Sequence, residues 1–365
     1  QKFIDSLIDT MTSIHNQFKF PKNMIYTKAE AKKYNESSLC YICNKEFSES
    51  DDKVRDHCHL TGKFRGAAHN SCNLNYKLPK FFPVVFHNLS GYDCHLFIKK
   101  LRGENGEKIK CIPNNEERYI SFSREVIVNR FKNKEGKDVV VKRELRFIDS
   151  FRFMNASLDV LTKNLIDEKC NECKNNNKVD SDSCEECKRL SFEKGTANCR
   201  ILIDYFKNAT DEQKWLLLRK GIYPYDYMDS VDRLSETKLP PKSAFYSKLN
   251  ATDITDKDYQ HAQTVWKEFN CKSLRDYHNI YNTSDVLLLA DVFENFRDVC
   301  MKNYELDPAW YYTAPGLSWD AALKKTGIKL ELLSDYDMLL MIKQGIRGGI
   351  STISKRYAKA NNKYM

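Results

Sequence analysis

The chain has 365 residues, with 59 Lys and Arg against 50 Asp and Glu and a hydrophobic share of 41%. That length allows two or three domains with real cores, and a net charge of +9 suits a polyanionic partner without demanding one. No run of eighteen apolar residues is present, so no membrane-spanning helix is expected, and no secretory h-region opens the sequence.

Residues 3–18, FIDSLIDTMTSIHNQF, place Phe3, Leu7, Ile8, Met11 and Ile14 at helical spacing, which predicts an amphipathic helix ended by KFPKNM. A short charged helix is expected over 28–36, and a cysteine-containing module from about 39 to 78. FFPVVFHN is an apolar run of strand length. The chain breaks at LSGYD and resumes with helical spacing in CHLFIKKL, giving strand, loop, helix. EVIVNRF and KDVVVKRELRFI, joined by the turn-like KNKEGKD, predict a hairpin within roughly Tyr119 to Ile148. SLDVLTKNL reads as a helix capped by Ser157. A polar segment then carries a second cysteine group. A mostly helical stretch is expected from about Asp211 to Tyr304, interrupted by the Pro-Pro pair of LPPKSAFYSKLN. In its most periodic part, Val286, Leu289, Val292, Phe293, Phe296 and Cys300 form a stripe expected to be core. From Ile342 to Met365 there are six Lys or Arg and no acid, a strip suited to phosphates or simply to solvent.

Thirteen cysteines are spaced for metal rather than for disulfides. C-x-x-C pairs and an H-x-x-C in a Lys-rich context read as thiolate ligands in a reducing, intracellular compartment. Cys40-x2-Cys43 and His69-x2-Cys72 supply four donors in two knuckles, the set a tetrahedral zinc requires. Cys170-x2-Cys173 and Cys184-x2-Cys187 form a second set, separated by ten residues of which nine are polar, so few apolar side chains are available to hold the loop by packing; zinc would supply that folding energy. Cys94, Cys111, Cys199, Cys271 and Cys300 are scattered and expected to be small buried residues.

Between the first two knuckles lies Asp56-His57, and Asn73 follows Cys72 directly. This constellation resembles the recombination endonuclease VII group of His-Me finger nucleases. The resemblance implies Asp56 and Asn73 as Mg²⁺ ligands, His57 as the base that activates water and His59 as an auxiliary histidine. Cys58 stands where that family's D-H-D-H has an Asp, and His69 where a cysteine is commoner. The other reading of the same stretch is a zinc module that docks DNA without cleaving it.

FHNLSGYD, Phe86 to Asp93, puts an Asn and an Asp on a loop after an apolar strand. YNTSD, Tyr281 to Asp285, puts a Tyr and an Asp on one side of a helix. Hydrolysis of a phosphodiester by two metals needs convergent carboxylates and a group that orients water, which a Tyr hydroxyl can be. These motifs resemble the second and third exonuclease motifs of family-B DNA polymerases. GIRGGI, Gly345 to Ile350, resembles the glycine element that joins exonuclease and polymerase domains, and FIDSF resembles a further motif with Ser150 in the serine place. Together with VRDHCHLTGKFRGAAHNSCNL, APGLSW and KRYAKANNKYM, the phrases resemble the protein-primed branch of Polinton/Maverick elements, in which an endonuclease VII-like module sits inside the exonuclease domain.

The resemblance implies an α/β, ribonuclease-H-like 3′–5′ exonuclease domain with an inserted treble-clef module and a second zinc knuckle. Its divisions would be a helical lead-in over 1–36, the zinc module over 37–80, an exonuclease-like domain over 81–330 with the knuckle inserted at about 166–200, and a link toward a polymerase palm over 331–365. Asp93 and Asp285 would bind Mg²⁺ and Tyr281 would orient water. Asn88, Tyr92 and Ser150 would hold a single-stranded 3′ end, and Arg347, Gly348, Gly349, Lys355 and Arg356 would hold primer–template DNA. Zinc would be structural at two sites, and a terminal protein could serve as primer. No D-x-E, D-x-x-S-L-Y or D-T-D occurs in these residues, so the chain is expected to be the middle of a larger polymerase and not to polymerise by itself. A free-standing Mg²⁺-dependent endonuclease using His57 and a non-catalytic zinc protein that binds DNA are the two alternatives.

Overall fold

A computed structural model describes residues 1–48, 52–76, 79–102, 108–115, 118–175, 184–346 and 357. In chain order the elements are α1 (Lys2–Gln17), α2 (Lys28–Glu36), β1 (Lys53–His57), β2 (Phe64–His69), α3 (Asn70–Asn75), β3 (Phe81–Phe86), α4 (Asp93–Phe97), β4 (Ile109–Pro113), β5 (Tyr119–Lys132) and β6 (Asp138–Asp149). The helices α5 (Leu158–Ile166), α6 (Asn171–Asn175), α7 (Glu185–Asn198), α8 (Arg200–Tyr205), α9 (Asp211–Leu217), α10 (Asp256–Glu268), α11 (Leu274–Tyr304), α12 (Ala314–Thr326) and α13 (Tyr336–Gly345) follow. The chain divides into two compact units, Gln1–Ser318 and Trp319–Met365. Among the described residues no helix is long and apolar enough to cross a membrane.

The mixed α/β character expected from the sequence is present. Four strands form one sheet in the order β3-β6-β5-β4. The expected hairpin is the antiparallel pair β5–β6, turned at Gly136, whose φ of 75° suits a residue without a side chain. β3 joins β6 in parallel, with Phe86 opposite Asp149. The carboxyl ends of these two parallel strands therefore lie side by side, the edge at which open α/β sheets place their ligands.

α1 covers the sheet. Ile4 and Met11 are buried with Phe97, Phe122, Leu145 and Phe147. The expected stripe is rotated slightly: Phe3 is 45% exposed, its ring edge on Phe86 and Phe97, while Ile4 takes the buried place. Both α1 and β3 belong to this sheet core, so everything between them is an insertion in it.

That insertion is a small zinc-type module. β1 and β2 form a two-stranded antiparallel ribbon, and α2 begins with a capping box between Thr27 and Glu30. Ile25 and Tyr34, in the helical lead-in expected over 1–36, are hydrogen-bonded to the module. Ile25 N–H donates to the Gly62 carbonyl at 2.7 Å, and the Tyr34 hydroxyl donates to the Lys53 carbonyl at 2.7 Å.

The helical region departs from the sequence expectation in three respects. The break at Pro240-Pro241 is the expected one, but the non-helical stretch reaches back to the end of α9 and holds only short 3₁₀ turns, with Pro224 denying a further backbone donor to a helix. On α11 Val286 is 59% exposed, and Leu288 is the fully buried residue among Ile166, Cys199, Leu202 and Leu217. The core side of α11 also carries Asp291, which accepts the Ile201 and Leu202 amides at 2.8 and 2.9 Å and so caps α8 from a neighbouring helix. Of the five scattered cysteines Cys111 is exposed on edge strand β4; the other four are buried.

Candidate metal centres and nuclease sites

Cys40, Cys43, His69 and Cys72 bring their ligand atoms within 4.8 Å of one another, and so do Cys170, Cys173, Cys184 and Cys187. The donor sets are those of closed structural zinc sites, and the residues fit the ion. In the first set β2 ends at His69 and α3 carries Cys72 one turn on. His69 Nε2 lies 3.3 Å from the Glu46 carbonyl, so Nε2–H donates there and leaves Nδ1 facing Cys43 Sγ at 3.4 Å and Cys72 Sγ at 3.8 Å. A ring nitrogen anchored in this way orients its partner toward a metal. Burial acts to raise the Cys40 thiol, but backbone amides of His69, Cys43 and Ile42 outweigh it and bring it down to about 6. In the second set the Cys173 amide is the leading cause that lowers Cys170, to about 7. Among the described residues Leu190 is the apolar side chain packed against this cysteine cluster.

Asp56, expected as a Mg²⁺ ligand, lies on β1 and is 5% exposed. Its carboxylate receives the Tyr41 hydroxyl in a close hydrogen bond and sits 3.5 Å from the Arg65 guanidinium. Tyr41 fits because Gly66 faces it; a Cβ at Gly66 would meet the ring at 2.9 Å. Both partners take Oδ2, so a divalent cation at Asp56 would share that carboxylate with Arg65. His57 is half-buried, with its ring 4.9 Å from that of exposed His59, and Asn73 is half-buried on α3.

At the sheet end, Asp149 closes β6 and is 2% exposed. It accepts the amides of Asn88 at 2.8 Å, Ser90 at 3.5 Å and Phe151 at 3.1 Å. The loop after β3 is thereby fixed, with Asn88 at φ 63° and Asp93 in the first turn of α4. Asn88 and Tyr92 are exposed and Asp93 is half-buried. Burial is the largest cause that raises the Asp93 carboxyl, and the Asp149 charge adds to it. Ser150 is a correction to the sequence expectation. It is fully buried; its hydroxyl donates to the Phe86 carbonyl at 2.8 Å and meets His87 Nδ1 at 2.9 Å. It braces the loop and offers nothing to a DNA end. The residue that sequence reasoning missed is its neighbour Asp149; the signal was an Asp at the end of a β run in FIDSF.

On α11 the Tyr281 hydroxyl donates to Asp285 Oδ2 at 3.2 Å, and the other oxygen, Oδ1, is buried without a hydrogen-bond partner. Burial raises the Asp285 carboxyl, against the opposing pull of Lys220 and Tyr281. Tyr281 stacks on Tyr223 with centroids 4.6 Å apart and meets the Tyr225 hydroxyl. The close approach needs Gly221, where a Cβ would meet the Tyr281 ring at 2.6 Å. Among the described residues, the groups of three or more side chains that could share one ion are the two cysteine-containing sets; Asp93 and Asp285 belong to neither. Arg347, Gly348, Gly349, Lys355 and Arg356 lie outside the described residues.

The sequence profile of the recombination endonuclease VII family matches residues 17–87. This segment is an endonuclease VII-like, nuclease-type zinc module; the match takes in α2, which the Tyr34 hydroxyl ties to β1, and runs on through β3 of the larger sheet. Such a module suggests DNA as the partner. Comparison with curated proteins and with solved structures returns no match.

Proposed function

We propose that the chain is the exonuclease-like middle of a protein-primed family-B DNA polymerase, with the endonuclease VII-like module inserted in it. The observation that carries this reading is the Tyr281–Asp285 pair: a hydroxyl bonded to one carboxylate oxygen while the other oxygen is buried and unpartnered. An orphaned carboxylate oxygen of this kind suits a divalent cation. Asp93 and Asp285 would hold Mg²⁺, which would stabilise charge on the phosphate under attack; Tyr281 would orient the water. Asn88 and Tyr92, exposed on the loop that Asp149 fixes, would receive a 3′ end. A mixed sheet with its loop motif at the end of a parallel strand supports a ribonuclease-H-like domain. The reading also requires a D-x-E pair that these 365 residues lack. Primer–template DNA, a terminal protein and a reducing compartment complete the proposal.

The endonuclease reading rests on the family match over 17–87. Against it stands Asp56, whose charge Arg65 and Tyr41 already answer. One experiment separates the readings. Labelled single-stranded and branched DNA are incubated with Mg²⁺ and the chain, its His57→Ala variant or its Asp285→Asn variant, beside a primed-template incorporation assay. The polymerase-fragment reading expects no incorporation, and 3′-end binding that Mg²⁺ strengthens only while Asp285 is present. Nicking of branched DNA lost in His57→Ala and kept in Asp285→Asn would transfer the function to the zinc module. Incorporation by the homogeneous chain would overturn the fragment reading.

A further inference from the structure

A cavity of about 530 Å³ is lined by residues of α5, α7, α9 and the start of α10, a volume in the range of ligand sites. Its wall is mostly of one sign. Lys163, Lys188, Arg219, Lys220 and Lys257 stand against Asp167 and Asp258. Two of the cations are answered by neighbours: Arg219 by Asp258 at 2.8 Å, and Lys163 by Asp159 on its own helix at 2.8 Å. Lys188 and Lys220 take no ion pair among the described residues.

The positions of these two lysines are informative. Lys188 follows Cys187 directly on α7, so the second zinc knuckle sets it at the cavity. Lys220 is the cation whose field reaches Asp285. Trp215, which lines the same cavity, is 37% exposed, with its indole edge-on to Phe192 at 6.1 Å. In the wall, Thr162 Oγ1 is buried without a hydrogen-bond partner. Arg219 and His261 also line a smaller space that reaches Gly221 and Tyr281, so the cavity adjoins the surroundings of the Tyr281–Asp285 pair.

Lysines without an ion pair beside a partly exposed indole are the pairing that single-stranded nucleic acid selects: cations for the phosphates and a flat ring for a base. We propose that this cavity binds single-stranded DNA, with phosphates on Lys188 and Lys220 and a base on Trp215, and that the second zinc knuckle is the positioning element for Lys188. This goes beyond the exonuclease reading, because it requires binding and no cleavage.

The test is tryptophan fluorescence of the zinc-loaded full chain, titrated at several salt concentrations with oligo(dT) of about eight nucleotides. dTMP and inorganic phosphate serve as competitors. Oligo(dT) is expected to quench, and Trp215→Phe to remove most of the quench. Lys188→Ala combined with Lys220→Ala is expected to weaken binding about tenfold and to lower the log–log salt slope by about 1.4. dTMP is expected to compete at far lower concentration than phosphate. Unchanged affinity in the double lysine variant, with zinc content and thermal unfolding preserved, overturns the proposal; so does equal competition by inorganic phosphate, which would remove the base from the site. Because the readout is binding, a chain inactive at Tyr281 and Asp285 still tests the cavity, and a cavity that fails leaves the Asp285 assay standing.

Discussion

The carboxylate of Asp149 accepts the backbone amide of Asn88 at 2.8 Å, joining the end of β6 to the loop after β3. One buried side chain thus sets the conformation of a segment that carries Asn88, Tyr92 and Asp93. The expected consequence of Asp149→Ala is a loss of about 3 kcal/mol in unfolding free energy, since a charged acceptor is removed and amides are left without a partner. Asp149→Asn keeps one acceptor oxygen and should lose less. Urea titration gives the stabilities, and limited proteolysis reports whether the 87–93 loop has loosened.

Asp285 points the other way. Burial raises its carboxyl, and Oδ1 has no hydrogen-bond partner, so its charge is carried at a cost to the fold. Asp285→Asn should raise stability by about 1 kcal/mol without divalent cations. In the native chain Mg²⁺ should raise the unfolding temperature, and in the variant it should not. Calorimetry with and without Mg²⁺ decides; a destabilised variant would show that the carboxylate serves the fold.

His261 predicts a pH dependence. Burial, aided by the Arg219 charge and opposed by Asp258, lowers its pKa to about 4. The folded value lies below the unfolded one. The folded chain therefore refuses a proton that the unfolded chain accepts, and stability is lost as pH falls from about 6.5 to about 4. The limit on this contribution is about 3 kcal/mol. His261→Gln should flatten that part of the profile, as measured by denaturant midpoints across the window.

Zinc removal should act unequally on the two sites. The first is tied to a ribbon and helices by His69, the Glu46 carbonyl and the Ile25 amide. Among the described residues the second has Leu190 as its apolar neighbour beyond the cysteines themselves. Chelation should unfold the two turns at Cys170–Cys173 and Cys184–Cys187 first, raising their amide exchange while β5 and β6 keep their protection. Metal analysis should give two zinc ions per chain for the native protein and one for Cys170→Ser with Cys173→Ser.

Both cysteine-containing sets were legible from residue type and spacing, because zinc demands four soft donors and tolerates few arrangements of them. The hairpin, the Ser157 cap and α2 were legible because each is governed by neighbours in sequence: alternation, a hydroxyl before a helix, a capping box. The tertiary structure decided what depends on distant partners. It made Leu288 rather than Val286 the buried face of α11, because α5, α8 and α9 supply the opposing surface. It turned Ser150 from a candidate DNA contact into a brace and brought Asp149 across to Asn88, since parallel pairing of β3 with β6 sets those ends together. It placed Arg65 on Asp56, a pairing made by the antiparallel ribbon β1–β2. Ligand identity is a local property of residue type and spacing; burial and the partner of each charge are set by chain segments remote in sequence, and only the fold brings them together.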